Sequence, residues 1–385
     1  MLDSLRVCGL VFWADGKEDV LALQELLQLD GPLDAFPVVL GCEAGINITS
    51  IDADRRIGVK EAVGQEKLGG AMMKEPLSSH MKVGIVHFMA FPETMRGEGP
   101  VFETISKIVE DEFFAAIEVT WIKDEEQRWK VRSLLETSHL IVGFGGQPPL
   151  LINKLDLNSK VEAQRRQAID QMKASVDQAY ELGAGKLGFL SGKDPGEADR
   201  AEATRLLVDS IVEICRYAKD KGGLQIVLET FDIDIDKKCL IGPSVEASKV
   251  AKMVKSQCQN FGIMMDLSHL PMLGESPEPA LTAVKDHLIH IHIGNCLIGN
   301  SSHPAYGDAH PRFGLKGGEN DVPELAAFLR ALFKVGYLGQ PNGCPGNDGK
   351  QLPVVSFEVK PMAGETSEAV IAAAKRVLIE AWAVL

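Results

Sequence analysis

From position 81 onward the chain alternates short apolar runs with longer stretches in which apolar residues recur every three or four positions. Runs of a few apolar residues suit buried strands, and the 3.6-residue spacing is that of a helix with one buried face. The strand candidates are "KVGIVHFMAF" (82–91), "AAIEVTWI" (115–122), "HLIVGFGG" (139–146), "KLGFLSG" (186–192), "LQIVLETF" (224–231), "FGIMMDLS" (261–268), "LIHIHIGN" (288–295) and "PVVSFEVKP" (353–361). A helical segment follows each. "KVEAQRRQAIDQMKASVDQAYELG" ends at a glycine, as a capped helix does, and "DVPELAAFLRALFKVGY" and "SEAVIAAAKRVLIEAWAVL" keep the same spacing. Strands that alternate with helices build a parallel sheet, and eight rounds close into a barrel of about 250 residues before insertions. A doubly wound open sheet shares the rhythm but usually carries a Gly-rich phosphate loop after its first strand. "FMAFPETMRGEGP" lacks the G-x-G-x-x-G spacing. The expected fold is α/β, a (β/α)8 TIM barrel over residues 81–385 with a small N-terminal extension, residues 1–80.

The extension stands outside that rhythm. "DVLALQELLQL" reads as one helix and "PVVLGCEAGINITSIDADRRIGVKEAV" as a small strand-and-turn region. It would serve as a packed appendage, an oligomerisation arm or leader sequence ahead of a start at Met81. The 45% hydrophobic and 24% charged residues suit a large globular core. The seven cysteines are odd in number, scattered and never spaced C-x-x-C, so a disulfide framework and a thiolate zinc knuckle are both disfavoured. A reducing, cytoplasmic setting is expected. No basic leader precedes a cleavage site, and no apolar run approaches the roughly 20 residues that span a bilayer. The net charge of −14 argues against nucleic acid as a partner, because affinity for it rests on clustered Lys and Arg.

In such a barrel functional side chains gather at the C-terminal ends of the strands. There the fifth candidate ends with Glu229, the sixth with Asp266 and His269, the seventh with His290 and His292, and the eighth carries Glu358. A buried charge must be paired or must coordinate a metal. One glutamate at a strand end is more often solvated or salt-bridged than a ligand; four coordinating residues on four consecutive strands point to a metal site. Glu229, Asp266, His292 and Glu358 offer three carboxylates, one imidazole and no thiolate, a set for a hard or borderline divalent ion. Mn²⁺ is expected first, with Mg²⁺, Co²⁺ and Zn²⁺ as alternatives. Residues two apart on a strand face the same way, so His290 lies deeper than His292 and reads as a hydrogen-bonded core histidine. After the seventh strand comes "CLIGNSSHPAYGDAHPRFGLKGGEND", and an aperiodic loop of that length is usually a lid or binding loop. Asp308, His310 and Arg312 are its binding candidates, Arg312 through a forked contact to a substrate oxygen or anion. Tyr306 and His303 read as ordinary loop surface.

The series "LET", "DLSH", "HIHIGN", "GDAHPRFG" and "SFEV" resembles the sugar isomerase/epimerase superfamily of xylose isomerase-like barrels. That group includes ketose 3-epimerases, hydroxypyruvate isomerase and inosose dehydratase, with endonuclease IV a distant member. The similarity covers residues 81–385. It implies a mononuclear metal site at Glu229, Asp266, His292 and Glu358, with the two glutamates also acting as acid and base and His269 contacting substrate oxygens. In the endonuclease relatives the Asp and His of the loop after the seventh strand hold a further zinc, at the places of Asp308 and His310. Those relatives also use histidines on earlier strands, where this chain has "GFGGQP" and "FLSGKD". A trinuclear centre is therefore incomplete. The resemblance implies a keto-sugar isomerase or epimerase acting through an enediolate, on a small-molecule sugar and as a homo-oligomer. The same enolate could instead expel a β-substituent, which would make the protein a lyase or dehydratase of a keto-sugar or 3-keto-glycoside. A non-catalytic sugar-binding subunit is the third reading, and the glutamate pair argues against it.

Overall fold

The structure, a computed structural model, describes residues 75–339 and 352–385, together with the backbone of four strands among the first 61 residues. The chain divides into two compact units, Met1–Gly69 and Gly70–Leu385. In the first, Asp3–Val7 pairs antiparallel with Leu10–Ala14, and Ile46–Ile51 with Ile57–Glu61. The second ribbon falls in the stretch expected to be strand and turn. The helix expected over "DVLALQELLQL" lies outside the described residues.

The second unit is built on eight parallel strands: β1 Lys82–Ile85, β2 Ala116–Thr120, β3 Ile141–Gly145, β4 Lys186–Leu190, β5 Gln225–Glu229, β6 Phe261–Asp266, β7 Leu288–Ile293 and β8 Val354–Phe357. From β2 to β8 each strand pairs with its successor, and β8 pairs back onto β1. The ring closes between β1 and β2, where the Ala115 amide donates to the Val83 carbonyl at 2.8 Å and Val86 bridges to Glu118. This is a TIM barrel. Every residue of β6 and β7 is buried, because crossover helices cover the outer face and side chains fill the inside. The longest of those helices are Glu162–Glu181 and Glu197–Lys221.

One segment differs from its sequence reading. The apolar run that opens the barrel leaves the sheet after Ile85, and His87–Ala90 forms a buried helical turn. A short, wholly apolar run suits a buried strand and a buried helix equally, and here the closing turn of the barrel decides.

Register places the chemistry. Leu190 on β4 lies opposite Glu229 on β5, which lies opposite Met264 on β6. One step higher Asp266 lies opposite His292, and His292 opposite Ser356 on β8. The Glu358 amide donates to the Ile293 carbonyl at 2.9 Å, so Glu358 follows directly on the sheet. The long insertion after β7 returns to its own root. The Asn320 amide donates to Asn295 Oδ1 at 2.8 Å and its side chain to the Gly294 carbonyl at 3.0 Å, while the Glu319 amide reaches the Cys296 carbonyl at 2.9 Å.

Candidate metal centre

Four side chains from β5 to β8 meet at the barrel mouth. Coordinating atoms of Glu229, Asp266, His292 and Glu358 all lie within 4.8 Å of one another. His292 is the middle of the group. Its Nδ1 stands 2.6 Å from Glu358 Oε2, 3.7 Å from Glu229 Oε1 and 4.0 Å from Asp266 Oδ2.

Glu229 and Asp266 are each held by one oxygen and leave the other toward the centre. Gln147 donates to Glu229 Oε2 at 2.8 Å, and the Ser268 amide donates to Asp266 Oδ1 at 2.6 Å. Glu229 Oε1 and Asp266 Oδ2 are fully buried and have no hydrogen-bond partner. Two buried, unpartnered carboxylate oxygens are costly unless a cation meets them. The electrostatics agree. Burial pushes the Asp266 carboxyl up, against the pull of His269 and His310. Burial also depresses the His292 imidazole, yet Glu118 and Glu358 outweigh it and hold the ring well above its ordinary value. The cluster thus draws a positive charge to its centre, and a divalent ion on oxygen and imidazole donors fits it.

Behind His292 stands Glu118 of β2. His292 donates from Nε2 to both Glu118 oxygens, at 3.1 and 3.0 Å, and His290 Nε2 donates to Glu118 Oε1 at 2.8 Å. Burial raises the Glu118 carboxyl, but His292 and His290 together hold it well below the usual carboxylate range. A carboxylate behind a ligating histidine fixes its tautomer and frees the other nitrogen for a metal. Sequence reading missed Glu118 and Gln147. The signal for Glu118 was a lone carboxylate in "AAIEVTWI". His290 is the hydrogen-bonded core histidine that its position suggested.

The insertion contributes a second group of polar residues. Asp308 Oδ1 accepts from His269 Nε2 and lies 2.8 Å from His310 Nε2, and Lys237 Nζ stands 2.9 Å from Asp308 Oδ2. His269 Nδ1 donates to the Thr230 carbonyl at 2.7 Å. Both of its nitrogens therefore face acceptors, and the ring is doubly protonated. Burial lowers the His269 pKa, yet Asp308 and the neighbouring carboxylates raise it to about 10. His310 is lifted to about 9, Glu358 and Asp308 overcoming its burial. Its backbone sits at φ 48°, a conformation uncommon for a residue with a Cβ. The Lys360 amide holds it there by donating to the His310 carbonyl at 2.7 Å. His310 Nδ1 has no partner and points at Asp266 Oδ2, 4.0 Å away. Gly294 makes the close approach possible, since a Cβ there would fall 2.5 Å from the Glu358 carbonyl oxygen.

Arg312 lies apart from this group. Its Nε pairs with Glu365 Oε1 at 3.0 Å, and the side chain is 40% exposed. At the ends of β3 and β4, where the endonuclease branch would need histidines, the chain carries Gln147 and Ser191.

The model of the xylose isomerase-like TIM barrel family matches residues 110–340, more than half of the chain. The chain belongs to this family. Among solved structures the barrel superposes on a D-tagatose 3-epimerase-like protein with a TM-score of 0.56 at 17% identity, covering 78% of this chain and 99% of that one. An IOLI protein with a bound zinc atom gives a TM-score of 0.58 at 16% identity, covering 78% and 98%. The 3-keto-D-glucoside 4-epimerase of E. coli gives 0.52 at 17% identity, covering 77% and 97%. At these identities the likeness is one of fold. No curated protein matches the chain in sequence. Among the described residues no helix is long and apolar enough to cross a membrane.

Proposed function

We propose that the protein is a divalent-metal-dependent isomerase or epimerase of a keto-sugar that works through an enediolate, with Glu229 and Glu358 as the acid/base pair. The observation that carries this reading is the pair of buried glutamates converging on His292, with Glu229 Oε1 left without a partner. Held by Glu229, Asp266, His292 and Glu358, an ion such as Mn²⁺ supplies Lewis-acid stabilisation of negative charge on substrate oxygens.

The remaining roles belong to the chain itself. Gln147 holds Glu229 through Oε2 and so fixes the carboxylate at the centre, where it takes the proton from the substrate carbon. Glu358 stands on the other side of His292 and returns a proton, to the opposite face for epimerisation. If Glu229 alone shuttles the proton to the adjacent carbon, the product is the aldose-ketose isomer. His310 Nδ1 is the free donor nearest the centre and is assigned to a substrate oxygen. His269, engaged at both nitrogens, fixes Asp308 beside it and acts on the substrate through that network. Among the described residues four cysteines are buried free thiols, which suits a reducing compartment such as the cytoplasm.

The test is deuterium incorporation, followed by NMR, into a panel of free ketoses and keto-glycosides in D₂O with Mn²⁺ and then with a chelator. Metal-dependent exchange next to the carbonyl supports the reading, and the product distinguishes epimer, isomer and elimination. A metal-loaded protein that exchanges no substrate would favour the sugar-binding reading and remove the acid/base assignment.

A further inference from the structure

A cavity of about 670 Å³ opens at the C-terminal ends of β3 and β4, beside the carboxylate centre. Three contacts tie the two together. Leu190 lines the cavity and is the sheet partner of Glu229. The helix Gln147–Ile152 supplies Leu150 and Leu151 to its wall and begins with the Gln147 that holds Glu229. Lys237 lines it too and pairs with Asp308. The volume lies within the roughly 300–1,000 Å³ of drug-sized ligand sites, generous for a free hexose, which would in any case sit over the carboxylates.

The walls say what kind of group belongs there. Leu150, Leu151, Leu155 and Leu190 give it an aliphatic side, with Leu151 left 42% exposed. The rest of the lining is mostly polar, with Asp156, Gln164, Gln167 and Ser191 beside Lys154 and Lys193. Neither of these lysines forms an ion pair among the described residues, in a chain whose net charge is −14. Gly192 lets the Asp156 carboxylate pack against the chain, since a Cβ there would collide with it. A second sugar ring would meet the polar residues but would leave the four leucines uncovered. An aromatic group bearing oxygen functions suits both kinds of lining, its ring covering leucine surface and its oxygens meeting the lysines.

We propose that this cavity binds the aglycone of a glycosidic substrate, an aromatic group bearing oxygen functions, so that the natural substrate is a keto-sugar glycoside and not a free ketose. The proposal rests on the sugar reading of the carboxylate centre. Its test needs no turnover. Ligand-observed NMR titration of the full-length, Mn²⁺-loaded protein compares 4-nitrophenyl β-D-glucopyranoside with methyl β-D-glucopyranoside. The aryl glucoside should bind on the order of tenfold more tightly, and Leu151→Ala and Lys193→Ala should each erode that preference while leaving the methyl glucoside unchanged. Equal affinity for the two glucosides, no binding of either, or a preference indifferent to both substitutions would overturn it. Deuterium exchange on the panel of free ketoses and keto-glycosides is run in parallel. Aryl preference without exchange would retain the cavity assignment and remove the isomerase reading; exchange without aryl preference would do the reverse.

Discussion

Replacing Glu118 by glutamine leaves the four proposed ligands Glu229, Asp266, His292 and Glu358 in place and changes almost no volume, yet it should weaken metal binding. Glu118 accepts from His290 Nε2 at 2.8 Å and from His292 Nε2 at 3.0 and 3.1 Å. A carboxylate offers only acceptors, whereas an amide offers one oxygen and one NH₂. In Glu118→Gln one imidazole keeps its acceptor and the other meets an N–H. If the loser is His292, its proton moves to Nδ1, the nitrogen that faces Glu229, Asp266 and Glu358, and that nitrogen ceases to be a ligand. If the loser is His290, a buried donor goes unpaired at a cost of about 1–3 kcal/mol, which again favours turning the amide oxygen away from His292. Losing such an outer partner typically lowers metal affinity about 10–100-fold, equivalent to about 1.4–2.7 kcal/mol. Competition against a chelating dye for Mn²⁺ or Zn²⁺, with far-ultraviolet circular dichroism to verify the fold, measures it. An affinity unchanged from the parent protein would refute the idea that Glu118 sets the tautomer of His292.

Other consequences are open to measurement. Glu229→Gln removes the proton acceptor at constant volume, so exchange into substrate should fall on the order of 10²–10⁴-fold with the unfolding transition preserved; retained exchange would exclude Glu229 as the base. Chelation should lower the melting temperature by several degrees, because a ligand at a thousand times its Kd stabilises by about 4 kcal/mol, and superimposable melts with and without chelator would count against a tight site. Lys237→Met leaves the buried Asp308 short of its lysine and should cost on the order of 3 kcal/mol in urea unfolding; an unaltered midpoint would show that His269 and His310 suffice. His87 is held at about 3 by burial, against 6.5 for the free side chain. Above the free value both states leave it neutral. Below it the unfolded chain takes up a proton that the fold refuses, so stability falls with decreasing pH by up to about 1.4 kcal/mol per unit until about 3. His87→Gln should flatten that slope in urea midpoints taken at several pH values, and an identical slope would assign the loss to other groups.

Much of this was legible in the chain because burial leaves a plain mark on composition. Strands covered on both faces appear as unbroken apolar runs, and the barrel followed from their number and spacing. The residues at the rim of β5 to β8 stood out because each interrupts such a run. What stayed hidden were partnerships across the barrel. Glu118 and His290 are 172 positions apart, and Gln147 and Glu229 are 82 apart. One sequence carries no sign of such a pairing, so neither Glu118 nor Gln147 was singled out. Lys237 was invisible for a related reason. It is set by Asp232, whose side chain accepts the amides of Ile235, Asp236, Lys237 and Lys238, and only that folded turn aims it at Asp308. Arg312 ended beside Glu365, a partner supplied by a segment beyond β8.

The closed root of the insertion after β7 has an evolutionary reading. Asn295 and Asn320 are fastened to each other and to the end of β7, so the residues between them form a loop whose ends are already joined by the barrel. Lengthening such a loop costs little, since closure entropy grows only with the logarithm of its length, about 0.6 kcal/mol per doubling. Asp308 and His310 reach the centre from within it, and the carboxylates do not. Segments of other lengths and compositions can therefore be spliced between the two asparagines with little effect on the strands that carry Glu229, Asp266 and His292. In this architecture the wall around the centre can drift as an exchangeable cassette, while the cluster of carboxylates and imidazole remains with the barrel.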